Sequence, residues 1–404
     1  MFALAWRNIW RHSRRSAITV AAMSLGAAIC MVMMAFTDGM FATMFDVAVT
    51  QTSGHVRVEN PAYVETRSMF DSLPDAQEKL ETLQALPEVQ SATWRAFGGA
   101  LLGGEQKTVG VELIGVDPAL ERKVGDPDSL LVEGRYLEAP GEVVIGVGLA
   151  EELDAGLGTE LVAMTQASDG SIGAAEYTVV GIAKTGSTAR DKQGAWLTLG
   201  DLQELLYLED QVHEIVLLAE GGEDAVDGLK DAAVAAVGGD GVLVRTWREA
   251  DPNMASMLDM GDVSSWILLS IIFFLAGFGV LNTMLMSVFE RTREFGVMRA
   301  LGMGRGRLVR LVLSESLVLA LVGMLIGGAL GGVLDFLVVQ YGIDLGYGDL
   351  DMAGIQFPDT IKGQFRVDRV IATLVTMVVV ALGASLFPAW RASQLKPIEA
   401  MRRD

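Results

Sequence analysis

Residues 263–310 read VSSWILLSIIFFLAGFGVLNTMLMSVF and then ERTREFGVMRALGMGRGRLVR. The first 27 residues carry no charge, and crossing ~30 Å of hydrocarbon takes about 20 apolar residues in a helix. The next 21 carry six Arg and two Glu, the basic excess expected of a loop held on the cytoplasmic side. Working outward, residues 17–36, 316–334 and 370–389 are also uncharged and long enough to span. The third of the four spans extends inward through 311–314 if Glu315 is accommodated. Residues 1–16 hold four Arg and no acid, and 391–404 hold four basic residues against two acidic ones. Four crossings with these flanks predict both termini in the cytoplasm. The segments expected are 1–16 interfacial, 17–45 first span with an outward extension, 46–262 external, 263–289 second span and 290–310 cytoplasmic. Then follow 311–343 third span, 344–369 short external loop, 370–389 fourth span and 390–404 tail. A cleaved leader is not expected at the start, because the apolar run is too long and no A-x-A site follows before Asp38.

Composition agrees. Of 404 residues 51% are hydrophobic and 20% charged, with mean hydropathy +0.37. The net charge of −20 divides unevenly: 46–262 carry 39 acidic and 14 basic residues, leaving the remainder at +5. An acidic external block offers no basic patch for phosphates, which argues against nucleic acid as a partner. Cys30 is the one cysteine, so no disulfide forms within the chain.

The external block reads as α/β. Residues 55–59 look like a strand, 75–86 a helix and 89–97 a strand; 213–219, 223–237 and 242–247 repeat that order. Two β-α-β units at opposite ends predict one split subdomain whose halves pair, with a β-rich insertion between them. The fold class expected is therefore a four-helix membrane protein with a large α/β extracytoplasmic domain.

No catalytic arrangement is found. His12, His55 and His213 stand apart from Cys and carboxylates at metal-ligand spacing and read as ordinary surface residues. In 181–187, GIAKTGS, Lys184 precedes the second glycine, so its amine cannot serve a phosphate loop. Any ATPase is expected on another chain, and neither metal nor cofactor on this one.

Three features remain. Segment 290–310 opens with Glu290, Arg293 and Glu294 at helical spacing, and Phe295, Met298 and Leu301 follow; this reads as a short amphipathic helix docking into a partner's groove. Trp6 and Trp10 beside Arg7 and Arg11 read as an interfacial helix contacting membrane lipid. Gly323, Gly327 and Gly331 give the third span a face on which helix backbones approach closely, within one subunit or at a dimer seam. Glu315 is expected at headgroup level or paired with an arginine such as Arg310.

The stretches LAWRNIWRHSRRSAITV, LNTMLMSVFERTREFGVMRALGMGRGRLVRLVLSES and LFPAWRASQLKPIEAMR resemble the FtsX-like ABC transporter permeases, including the MacB and LolC/LolE groups. The resemblance covers nearly the whole chain. It implies a dimeric inner-membrane permease, with a second copy or a paralogue, driven by a separate ABC ATPase that holds ATP and Mg. It maps the family's coupling helix onto 290–304, making Arg291, Arg293, Glu294, Phe295 and Arg299 ATPase contacts. The split α/β unit corresponds to the family's porter-like subdomain. The stretch YTVVGIAKTGSTARDKQGAWLTLGDLQELLYL is similar to lipoprotein-releasing permeases, whereas FERTREFGVMRALG is similar to the MacB side. A chaperone-recruiting hook would fall near 165–175, where TQASDGSIGAA is short and has no proline. Lipoprotein release, MacB-like export with an adaptor and outer-membrane channel, and FtsX-like signalling to cell-wall hydrolases are the functions implied, in that order.

Overall fold

The computed structural model describes residues 13–45, 49, 54–104, 107–168, 170–208, 211–344, 346, 351–352, 355–356 and 360–395. Trp6, Arg7, Trp10 and Arg11 of the expected interfacial helix, His12, and the tail beyond 395 lie outside them. The chain divides into two compact units. One comprises Met1–Ala42, Asp259–Leu345 and Thr360–Asp404, the other Thr43–Leu258 and Gly346–Asp359.

The chain enters through α1 (Ser13–Phe45), longer at both ends than its uncharged run. The second unit then begins with β1 (Val56–Glu59), α2 (Pro61–Thr66), α3 (Ala76–Gln84) and β2 (Val89–Gly103). β3 (Thr108–Val116), β4 (Leu131–Gly134), β5 (Glu142–Gly146), β6 (Glu160–Gln166), β7 (Ile172–Ala183) and β8 (Gly194–Thr198) follow, joined by short helices. β9 (Glu214–Ala219), α4 (Val226–Val237) and β10 (Leu243–Thr246) close the unit.

Strand pairing explains why the two ends of this block meet. β1 lies antiparallel between β9 and β10, and β9 lies antiparallel between β1 and β2. Each β-α-β unit is thus split by a strand of the other, and neither half completes its sheet alone. The insertion is not a separate layer. β2 runs six residues past the expected end at 97, and its second half pairs with β3 and β6. The pairings β2–β3–β8–β5–β7–β6–β2 form a closed ring. Alternation along β6 turns Leu161 and Ala163 inward and leaves Val162 and Met164 exposed. Closure removes edges that would otherwise invite pairing with another chain. One apolar core serves both halves, including Val56, Leu80 and Leu217 of the split unit and Leu102, Val143 and Leu197 of the ring.

Two residues expected on the surface are inside. His213 is fully buried: its Nδ1 accepts from the Phe97 N–H at 2.9 Å, and Nε2 lies 2.9 Å from the Met69 carbonyl. His55 is also buried, with Nδ1 accepting from the Ala219 N–H at 2.9 Å. Each imidazole supplies a partner to a backbone group that the ladder leaves unmet.

The first unit holds the long helices. After α5 (Pro252–Glu290) come α6 (Thr292–Ala300), α7 (Arg305–Tyr341) and α8 (Val367–Ser393). α1, α5, α7 and α8 are each long and apolar enough to cross a membrane. The segment between α7 and α8 adds a short antiparallel pairing of Ile343–Asp344 with Thr360–Ile361.

Candidate functional site

The basic segment between α5 and α7 is built around Arg291. This single residue leaves helical geometry (φ −102°, ψ 14°) and so separates α5 from α6. Its Nη1 donates to both carboxylate oxygens of Glu315 on α7, at 2.9 and 3.0 Å. Its Nε donates to Glu294 at 2.9 Å, and its guanidinium lies 5.1 Å from the Phe295 ring centroid. Thr292 Oγ1 donates to the carbonyls of Val288 and Phe289, which α5 leaves unpaired at its end. Glu315 is therefore paired with Arg291 and not with Arg310, which is exposed.

Phe295 is 1% exposed and packs in one cluster with Val288, Leu308 and Val312. Arg299 Nη1 donates to the carbonyls of Ser393 and Leu395, at 2.7 and 3.0 Å, meeting acceptors at the end of α8. Gly302 (φ 93°) turns the chain out of α6 in a conformation that suits glycine, and α7 begins at Arg305.

Of the residues expected to meet an ATPase, Arg291 and Phe295 are buried within this chain, and half-buried Arg299 donates to the end of α8. The exposed face is a different one: Glu290, Arg293, Val297 and Leu301, the last 83% exposed. Sequence periodicity places Leu301 with Phe295 and Met298. The helix ends before Leu301, so it leaves that face. Spacing of four from Arg293 to Val297 to Leu301 is the signal that marks the outward face.

The glycine face of α7 lies against α1 of the same chain. A Cβ at Gly323 would sit 3.2 Å from Met23 Cβ, one at Gly327 3.0 Å from Ala27 Cβ, and one at Gly331 2.6 Å from Met31 Sδ. Both partner numbers rise together, so α1 and α7 run parallel. Ser24 Oγ donates to the Gly323 carbonyl at 3.1 Å across this seam. One turn beyond Gly331 stands Asp335, 1% exposed, a buried acid that sequence patterning does not single out. Nearer that end of α1, Asp38 pairs with Arg369 of α8 at 3.8 Å.

Where a hook would stand, β6 and β7 are joined by residues 167–171, and the Ala167 N–H donates to the Ser171 carbonyl at 2.9 Å. This is a short connection.

Four helices long and apolar enough to cross a membrane, a basic segment between two of them and a split α/β unit fused to a β ring define a membrane protein with a large folded domain outside its spans. Residues 16–235 match the MacB-like periplasmic core domain, and residues 266–397 match the FtsX-like permease C-terminal domain. The chain belongs to this family of MacB- and FtsX-like permeases. The lipoprotein-releasing system transmembrane protein LolC of Neisseria meningitidis is 25% identical over 323 residues, 76% of each chain. LolC of Xylella fastidiosa Temecula1 is 24% identical over 413 residues, 96% of this chain and 94% of its own. The macrolide export ATP-binding/permease protein MacB of Nitrobacter winogradskyi is 36% identical over 127 residues, 31% of this chain and 17% of its own. Among solved structures, the periplasmic region of MacB from Actinobacillus actinomycetemcomitans is 12% identical, with TM-score 0.37, covering 50% of this chain and 92% of that one.

Proposed function

We propose that this chain is the permease subunit of an ABC transporter that releases lipoproteins from the outer leaflet of a bacterial inner membrane. The observation that carries the reading is likeness to LolC proteins along most of both chains, external block included. ATP and Mg belong to a separate ATPase, a dimer, which docks from the cytoplasm on the outward face of α6. Arg293 and Glu290 give that face its charge, while Val297 and Leu301 give it an apolar tip. Closure of the ATPase pushes α6. The Arg291–Glu315 pair and the Arg299 contacts carry the push to α7 and α8, and the external domains then act on cargo.

Orientation follows the arginines: termini and α6 in the cytoplasm, the α/β unit in the periplasm. The permease works as a dimer with a second copy or a paralogue. Because the β6–β7 connection is short, a periplasmic chaperone is recruited by that second subunit or by another surface. MacB-like export with an adaptor is the competing reading, favoured by the 36% identity confined to about a third of the chain.

Depletion followed by separation of inner and outer membranes tests the proposal. Outer-membrane lipoproteins should accumulate in the inner membrane before general envelope damage. Unchanged sorting would overturn lipoprotein release and favour export.

A further inference from the structure

We propose that a cleft on the outer face of the β ring binds a zwitterionic phospholipid-type amphiphile, its chain lying over Gly99 and Gly110 and its head held by Arg67 and Glu112. The inference concerns the second unit alone and stands whether or not the cargo is a lipoprotein.

The cleft encloses about 1140 Å³, slightly above the ~300–1,000 Å³ of ordinary small-molecule sites. Its floor is where β9 and β6 diverge along β2. Register sets Gly99 opposite Glu112, and Leu101 opposite both Gly110 and Met164. Glycine inside a strand weakens it, having no side chain to pack and more backbone freedom to lose. At Gly98 the reason is internal, because a Cβ there would stand 2.7 Å from Leu206 Cδ1. At Gly99 and Gly110 a Cβ would meet nothing within 4 Å among the described residues, and neither has a positive φ. Packing and backbone thus give no cause for these two glycines. Close approach of a ligand to the strands does.

The walls are apolar and wet. Leu101 is 52% exposed, Met164 41% and Ile172 83%, all lining the same space. Adjacent apolar side chains held in water mark a binding surface, and an aliphatic chain covers them without needing hydrogen bonds.

Charge selects the head. Among the described lining residues Arg67 is the one cation and Glu112 the one carboxylate. Arg67 caps α2 at φ 52°, a left-handed conformation where glycine is usual. Its guanidinium sits 5.3 Å from the Tyr63 ring centroid, at the rim of the cleft. Such strain is retained where surrounding structure or function holds it. Both charges line the same cleft, so they share one locality. A phosphate pairs with Arg67 and an ammonium with Glu112. A purely anionic head would face Glu112 within an acidic block and gain less.

The test uses the full chain in a neutral maltoside detergent, with Met164→Cys carrying an environment-sensitive fluorophore. Cys30 is fully buried, so the label goes to the introduced thiol. Lysophosphatidylethanolamine should give a saturable blue shift, with lysophosphatidylglycerol about tenfold weaker. Gly110→Trp should abolish the shift, Arg67→Gln should weaken both lipids alike, and Glu112→Gln should remove the preference between heads. Should Gly110→Trp unfold the domain, Gly99→Leu carries the same expectation. A response that never saturates, equal affinity for the two heads, or a response unchanged in both glycine variants would overturn the proposal. Lipoprotein sorting is read separately, so the two ideas fail independently.

Discussion

Arg291 Nη1 donates to both carboxylate oxygens of Glu315, across 24 residues of sequence and with both side chains buried. The pair joins the break between α5 and α6 to the body of α7. Two buried charges are tolerable here because Arg291 also reaches Glu294 and the Phe295 ring, so little of its charge is left unmet.

Removing one partner strands the other. Glu315→Leu or Arg291→Leu should each destabilise the helical unit by about 3–5 kcal/mol. The double replacement should recover a large share of that loss, since it leaves no uncompensated buried charge. Thermal unfolding of the three variants in one detergent measures this as a double-mutant cycle. Strict additivity would show that the pair is not energetically coupled.

The α1–α7 seam predicts graded damage along one helix. Gly327→Leu drives a side chain into Ser24 and Ala27, where even a Cβ stands at 3.0 Å, and overpacking costs about 1–3 kcal/mol. Gly332 lies off that seam on the same helix. A Cβ there meets nothing within 4 Å among the described residues, so Gly332→Leu should be tolerated. Folded yield in membranes separates them, and equal yields would remove the close-packing argument.

Two kinds of residue on α6 should fail differently. Val297→Asp and Leu301→Asp alter the exposed face and should lower transport and ATPase coupling while the unfolding temperature holds. Phe295→Ala empties a buried site and should cost about 3–5 kcal/mol of stability. ATPase assays on the assembled complex, beside thermal unfolding, tell the two apart. Full coupling in both aspartate variants would move the docking surface elsewhere.

Charge and hydropathy made the spans legible, because about 20 uncharged residues leave few alternatives to a membrane helix. The outward extension of α1 to Phe45, also read from the sequence, runs through Asp38, and what the sequence does not show is that its carboxylate meets Arg369 331 residues later. The split pairing of β1 with β9 and β10 was readable from repeated order, whereas closure of the ring was not. Closure rests on β2 running to Gly103, six residues past the strand read from the sequence, through a stretch rich in glycine. The burial of Phe295 was not legible for a related reason: helical spacing identifies an apolar face without saying whether a partner or the chain's own α7 covers it.

The two buried histidines give a pH dependence with a definite sign. Burial pushes both His55 and His213 below the ordinary 6.5, outweighing the opposite pull of nearby carboxylates. Each Nδ1 already accepts a backbone N–H, so protonation there would set one proton against another. The unfolded chain consequently binds more protons than the folded one once pH drops below about 6.5, and stability falls as pH falls. Each histidine contributes a slope of up to about 1.4 kcal/mol per pH unit in that window. Carboxylates lie elsewhere: Arg135 holds Glu142 down to about 2, so its contribution is lost only under far stronger acid. Hydrogen exchange of the full chain in detergent, corrected for intrinsic rates, should show protection of Glu214–Ala219 dropping between pH 7 and 5.5. His213→Gln should shrink that drop while leaving the change below pH 4 intact. Protection that stays constant from pH 7 to 5.5 would mean that these imidazoles are not held neutral by the fold.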